Sequence, residues 1–429
     1  MKKIVFLLIF VGLFLPFRAA AEAPIKKGET LELERCIEIA LKNHPGIRAA
    51  AHALKAGESR VGQAKAGYYP QVSGSASYSR TDPTTTAGRF STSGGSIYDS
   101  YGSSVALNQN LFDFGKTSTQ VRIQNLNLDA SRSDFDTTNA QVVFGVKQSY
   151  YGLLLTKRNR EVAREVVGQY EHHLGRAKGF FEVGLKPKFD VTKAEVDLSN
   201  AKLNLLKAEN AFRLAQVTLN NAMGLPEAPD YEIQDSLAFQ RVEIVLDQSM
   251  KKAYDRRPDL QSILAKKKSF DETITLQKKG YTPYVTGNAG YGWGGDSFPL
   301  DPGWNIGATL NIPLFSGFST KYQVEEARAN LDVLKANEET LRQSIFLEVK
   351  QAWLNLQEAA DRIVTAEIIV RQAAENLELA NGRYAAGVGN PIEVTDALVA
   401  ESNAKTSFVA ALYDYKMAQA TLEKATGEK

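Results

Sequence analysis

Cysteine is almost absent from this chain of 429 residues. The single one, Cys36, can form no intrachain disulfide, lies too far inside the chain to be a lipid-attachment cysteine, and reads as a buried small hydrophobe. Histidine is nearly as scarce. His44, His52, His172 and His173 have no carboxylates or cysteines at ligand spacing, and adjacent His172 and His173 point to different helix faces, so no metal site is expected. Gly287, Gly290, Gly292, Gly294 and Gly295 lie in a strand and its turn, not in a strand-to-helix phosphate loop. No nucleophile-elbow motif occurs either, so neither catalysis nor a cofactor is expected. Charge of one sign is missing as well. The 51 Lys and Arg stand against 49 Asp and Glu, which leaves no nucleic-acid footprint.

Long hydrophobic runs are confined to the N-terminus. Lys2 and Lys3 precede an apolar stretch from Ile4 to Phe17, and Ala19, Ala20 and Ala21 follow. Pro16 and Arg18 interrupt it short of the roughly 20 residues a spanning helix needs, so residues 1–21 read as a secretory signal peptide cleaved after Ala21, with a retained anchor as the competing reading. Cleavage would remove three basic residues and turn the net charge from +2 to −1.

What the chain does contain is a tandem duplication. Leu111-Phe112, Val146-Lys147-Gln148 and Met223-Gly224 recur as Leu314-Phe315, Val349-Lys350-Gln351 and Thr426-Gly427 at one constant spacing. Upstream, His44-Pro45 matches Arg257-Pro258 and Tyr68-Tyr69-Pro70 matches Tyr281-Thr282-Pro283 at a spacing ten residues longer, so the first half carries an insertion. It falls in the Ser-, Thr- and Gly-rich segment from Arg80 to Ser100, an expected exposed loop. The first repeat is assigned to residues 22–224, with a helix, a β-hairpin at about 70–112, a long helix at about 116–181 and a helix at about 188–224. Residues 225–245 form an equatorial linker. The second repeat, 246–429, has a helix, a hairpin at about 284–314, a long helix at about 320–384 and a helix at about 391–426.

The hairpins alternate with period two. Val285, Gly287, Ala289, Tyr291 and Trp293 oppose Thr286 and Asn288; Trp304, Ile306, Ala308, Leu310 and Ile312 oppose Asn305, Thr309 and Asn311. Strands of about ten residues, apolar on one face and polar on the other, suit a transmembrane β-barrel with a wet lumen, although a half-buried soluble sheet shares the pattern. Four strands cannot close, and lipid tolerates no open sheet edge, so such a barrel must be shared between chains. Two copies give eight strands and a filled interior; three give twelve and room for a pore. Strand arithmetic leaves three and four copies both open.

The helices carry a strict heptad. Val349, Leu356, Ile363, Val370, Leu377 and Tyr384 interleave with Ala352, Ala359, Ala366, Ala373 and Ala380; Val394, Ala397, Glu401, Ala404 and Phe408 begin the same pattern in the last helix, and Val191, Ala194, Leu198 and Ala201 in its first-half counterpart. Large residues alternating with alanine predict left-handed coiled coils with closely approaching axes. Neither long segment has an internal proline, and about 65 residues at 1.5 Å each make rods of ~100 Å. A soluble coiled-coil scaffold would share the heptads and leave the hairpins unexplained.

Taken together, the signal peptide, the duplicated halves, Tyr-Pro or Thr-Pro before each first strand, Leu-Phe after each second strand and the Gly-containing helical turns resemble the TolC-type outer membrane efflux proteins over nearly the whole chain. The fold class is therefore mainly α with a small β part: long coiled-coil helices and two β-hairpins in an oligomeric α-barrel/β-barrel channel. The resemblance implies a homotrimer in the outer membrane of a Gram-negative bacterium, extending into the periplasm. It would be the exit duct of a tripartite efflux or type I secretion system, partnered by a periplasmic adaptor and an inner-membrane transporter. A periplasmic scaffold and a porin-like channel without a pump partner are the alternatives.

The resemblance also implies site residues. Val183, Gly184 and Leu185, with Ala386, Gly387 and Val388 in the second turn, match the tips that meet the adaptor; as helix C-caps the glycines need no further role. Glu393 and Asp396 match the acidic positions that narrow the pore entrance, while Asn390, Pro391 and Glu393 also read as an N-cap, N1 and N3. Asp190 is the first-half equivalent of Glu393, and Tyr384 holds the position whose hydroxyl bonds an aspartate across the closed gate. The family's gate arginine falls on Gly389, so any latch here must be built differently.

Overall fold

A computed structural model describes residues 25–81 and 97–428. The signal-peptide reading, and most of the loop from Arg80 to Ser100, fall outside these residues. In chain order the elements are β1 (Thr30–Leu31), α1 (Leu33–Asn43), α2 (Pro45–Lys65), β2 (Gln71–Thr81), β3 (Tyr98–Phe112), α3 (Lys116–Glu182), α4 (Lys188–Ala222), β4 (Glu232–Ile233), α5 (Leu246–Arg256), α6 (Pro258–Lys278), β5 (Tyr284–Gly295), β6 (Asp301–Asn311), α7 (Ser319–Ala385) and α8 (Pro391–Thr426). The chain is mainly helical with a small β part, and α3 and α7 each run 67 residues, ~100 Å of continuous helix.

The segment before each hairpin, expected as one helix, is two. A residue preceding proline is driven out of the α region, and His44 and Arg257 are both extended (ψ 125° and 122°), which stops α1 and α5. Pro45 and Pro258 then open α2 and α6, where the missing N–H costs nothing. The His44 Nδ1 accepts from the Gly46 N–H at 3.1 Å, whereas Arg257 is fixed by Asp259 at 2.6 Å and Glu348 at 2.5 Å.

The four long strands form one antiparallel sheet in the order β2-β3-β5-β6; the β3–β5 pairing joins the hairpins and leaves β2 and β6 as edges. Each hairpin turns into a long helix through a phenylalanine in left-handed conformation, Phe114 (φ 50°) and Phe318 (φ 64°). At the first of these the Asp113 carboxylate offsets the strain by accepting from the Gly115 N–H at 2.9 Å and the Thr117 N–H at 2.7 Å, which caps α3.

Away from the sheet, α3 packs on α4 and α8, and α8 on α7; toward the sheet, α3 packs on α2 and α6, and α6 on α7. The heptad residues Val349, Ala352, Leu356, Ala359, Ile363 and Ala366 are buried in the largest core, as are Ala411, Tyr415, Ala418, Leu422 and Ala425 of α8. The same core continues beneath the linker. A short parallel pairing of β1 with β4 brings Leu31 and Ile233 over Cys36, whose thiol burial pushes up to about 12.

Three amphipathic side chains staple the linker to the rods. The Tyr150 hydroxyl donates to the Gln234 carbonyl at 2.7 Å, Tyr415 to Gln240 at 2.6 Å, and the Trp353 indole to Ile244 at 2.8 Å. Tyr150→Phe is expected to leave its carbonyl partner short of a donor at a cost of about 1–3 kcal/mol, visible as a lowered thermal midpoint with the helical circular dichroism of the native state unchanged.

Candidate functional site: the helical tips

The ends of the rods farthest from the sheet are two matching turns. At the first, the Gly184 N–H donates to the Phe181 carbonyl and the Leu185 N–H to Phe180; at the second, Gly387 donates to Tyr384 and Val388 to Arg383. Both are Schellman caps, and both glycines sit at φ near +77°, where a side chain would be strained. The geometry pushes the flanking apolar residues into solvent: Val183 is 68% exposed, Leu185 69% and Val388 70%, with Ala386, Phe181 and Phe189 also exposed. The six residues assigned to the tips therefore form two open, apolar turns.

Behind them Tyr384 is fully buried. Its ring lies 5.3 Å from that of His173 and 5.5 Å from that of Phe180, and the Lys186 ammonium sits 5.6 Å from its centroid. The expected hydrogen bond to an aspartate is not made within the chain, because the Tyr384 hydroxyl is buried without a partner. Burial raises the Tyr384 pKa, and the negative charge of Asp190 adds to the rise. Asp190, 5% exposed in the first turn of α4, is thus close enough to act through space but not bonded.

Gly389, where the resemblance would put an arginine, is hemmed in by backbone. A Cβ on Gly389 would fall 2.7 Å from the Tyr384 backbone nitrogen, so no side chain fits at that position. The two turns are tied where the Lys186 ammonium reaches the Gly389 carbonyl at 3.5 Å.

Glu393 and Asp396 lie elsewhere from Asp190. They are one turn apart on the exposed face of α8, while Asp190 is buried against Tyr384. Capping of α8 is done by Asn390, whose Oδ1 accepts from the Ile392 N–H at 3.0 Å. Glu393 instead takes the Arg383 guanidinium at 3.1 Å, with both side chains more than two-fifths exposed, a pair of small energetic worth. Asp396 has no such cation among the described residues, and after burial and Asp197 it adds to the rise of the Tyr170 pKa.

Several ties between the helical pair α3–α4 and the pair α7–α8 escaped the sequence reading. The Thr395 hydroxyl donates to Asp197 at 3.2 Å, Asp197 is held by Lys193 at 2.6 Å, and Arg176 donates to Asn381 at 3.1 Å. Farther up, Gln169 donates to Glu401 at 3.0 Å, and Lys405 bridges Glu401 and Glu165 at 2.9 and 2.7 Å. Glu401 did carry a signal: it is a carboxylate in the heptad seam, where burial demands a partner. The others occupy ordinary surface positions in the pattern, and only the pairing of helices distant in sequence brings them together.

This architecture has relatives. Protein CyaE of Bordetella pertussis is 26% identical over 381 residues, spanning 87% of this chain and 79% of the relative. Outer membrane protein TolC of Vibrio cholerae is 22% identical over 402 residues, spanning 90% and 89%. Among solved structures, CusC superimposes with a TM-score of 0.81 at 18% identity over 95% of this chain and 98% of its own. The outer membrane channel CmeC of Campylobacter jejuni gives 0.80 at 20% over 92% and 85%. At such identities the structural likeness concerns the fold. Residues 36–225 and 250–428 match the outer membrane efflux protein family, and with most of both halves covered the chain belongs to that family.

Proposed function

We propose that three copies of this chain close into one channel, the outer-membrane exit duct of a tripartite efflux or type I secretion system. The observation that carries this reading is the open sheet. Strands β2 and β6 leave two unpaired edges on an element whose outward residues include Val72, Trp304, Ile306 and Leu310, all exposed. Bilayer hydrocarbon would charge several kcal/mol for each unpaired backbone group, so β6 of one copy pairs with β2 of the next until the barrel closes.

The helices ask for the same partners. The flank of α4 turned away from α3 exposes Leu203, Leu206, Leu214 and Val217, and α7 exposes Val364, Ile368 and Leu379. The chain exposes 27344 Å², against about 16,000 Å² for a compact monomer of this mass. Twelve strands leave a lumen, and the rods continue it through the periplasm.

Within this reading the chain is two repeats, residues 22–224 and 246–429, joined by the equatorial linker. The apolar turns at 183–185 and 386–388 dock a periplasmic adaptor, which couples the duct to an inner-membrane transporter. Asp190, Tyr384, Glu393 and Asp396 form the periplasmic gate. The chain performs no chemical step; solute moves passively, and the transporter supplies the energy.

Chemical crosslinking of detergent-solubilised protein is expected to stop at three chains, and the same material should form ion-conducting pores in planar bilayers. A monomer dispersed in buffer without detergent would overturn the assignment.

A further inference from the structure

His173 is a titratable side chain that the duct reading leaves without a task, and its setting is unusual. It is 4% exposed on α3, its Nδ1 is buried with no hydrogen-bond partner, and its ring packs on Tyr384 of α7. It therefore stands where the helical hairpin of α3 and α4 meets that of α7 and α8. One turn before it Tyr170 belongs to the apolar cluster shared with Leu377, Tyr384, Val394 and Leu398; one turn after it Ala177 belongs to a separate small cluster with Val191 and Ala194.

We propose that His173 is a proton-responsive wedge in the closed tip: neutral, its ring plates the α3–α4 hairpin onto Tyr384, and protonated, it drives the two helical hairpins apart. This rests on the gated-duct reading.

The charges around the ring decide the direction. From α4, Asp190 and Asp197 favour the protonated form and Lys193 opposes it; on α3 itself Arg176 opposes it. From α7 the imidazole meets the uncharged Tyr384 ring, over which Lys186 of the first turn already sits. On α8, Val394, Ala397 and Leu398 belong to the apolar cluster that also holds Tyr170 and Tyr384, and Asp396 acts on Tyr170. Burial outweighs the two aspartates and holds the imidazole below its ordinary value.

A second cation on the Tyr384 ring would also repel Lys186 and loosen its hold on the Gly389 carbonyl, the tie between the two turns. The sign follows from linkage. The closed tip has its full stability above the ordinary imidazole pKa of about 6.5 and loses it as pH falls through that value toward the lower one of the closed state. Each unit of separation between the two values is worth about tenfold in the open-to-closed ratio per protomer.

The test is the conductance of the full chain in planar bilayers between pH 7.5 and 5.5, above the carboxylate range. Open probability is expected to rise at least severalfold on acidification in the wild type, to do the same in His172→Gln, whose exposed neighbouring imidazole serves as control, and to stay flat in His173→Gln. His173→Phe, which keeps an apolar plate, should be equally flat and serves if His173→Gln fails to assemble. A wild type without response in this window, or a response that survives loss of His173, overturns the wedge. Conductance by Tyr384→Ala at either pH would show the duct reading intact when the wedge has failed.

Discussion

Tyr384→Ala is expected to leave the periplasmic end of the channel open, and Tyr384→Phe to leave it shut. The ring fills the space between His173, Phe180 and the Lys186 side chain, fully out of water. Deleting a buried aromatic ring costs about 3 kcal/mol or more, and at about 1.4 kcal/mol per decade that shifts the open-to-closed ratio roughly hundredfold. The hydroxyl is another matter. It is buried without a partner, so removing it takes away desolvation and no bond, and the closed state should be as stable as before. Single-channel conductance separates the two substitutions directly. A Tyr384→Phe channel as leaky as Tyr384→Ala would mean that the hydroxyl bonds an acceptor on a neighbouring copy.

Glu393→Ala combined with Asp396→Ala is expected to abolish the cation preference of the pore. In the proposed gate three copies would bring six carboxylates to one aperture, and like charges in a confined entrance concentrate cations there. The contributions are unequal. Arg383 at 3.1 Å offsets part of the Glu393 charge, whereas Asp396 stands on the exposed face of α8 without a cation among the described residues, so Asp396→Ala alone should remove more selectivity than Glu393→Ala alone. By the same reasoning Arg383→Ala should strengthen cation preference, since the ion pair it breaks is exposed and of little structural worth. Reversal potentials in a potassium chloride gradient read all four variants, best near 0.1 M salt, where the screening length is about 10 Å. Unchanged selectivity in the double variant would place the constriction elsewhere.

The sequence was most legible where a periodicity runs long. Alternate large residues and alanines from Val349 to Tyr384 specify helices that pack along their whole length, and the period-two hairpins identify the small β part, because both patterns arise from the chain's own geometry. The break between α1 and α2 was present in His44-Pro45 and masked by the helix-forming residues on either side. At the tips the glycines announced their own backbone, as left-handed caps do. Their surroundings were not announced. That Tyr384 has His173 and Lys186 against it, that its hydroxyl lacks an acceptor, and that Asp190 is buried while Glu393 and Asp396 are exposed depend on contacts between residues some 200 positions apart.

What the sequence determined by itself is thus the set of building blocks: heptads that make rods, alternating strands that make hairpins, and a chain with too few strands to close alone. The tertiary structure decided which rods are neighbours, which edges and flanks stay open, and which charges at the tips are paired or bare. Local periodicity is a property of consecutive residues, whereas the burial and partnering of a side chain are fixed by whichever distant segment is packed against it.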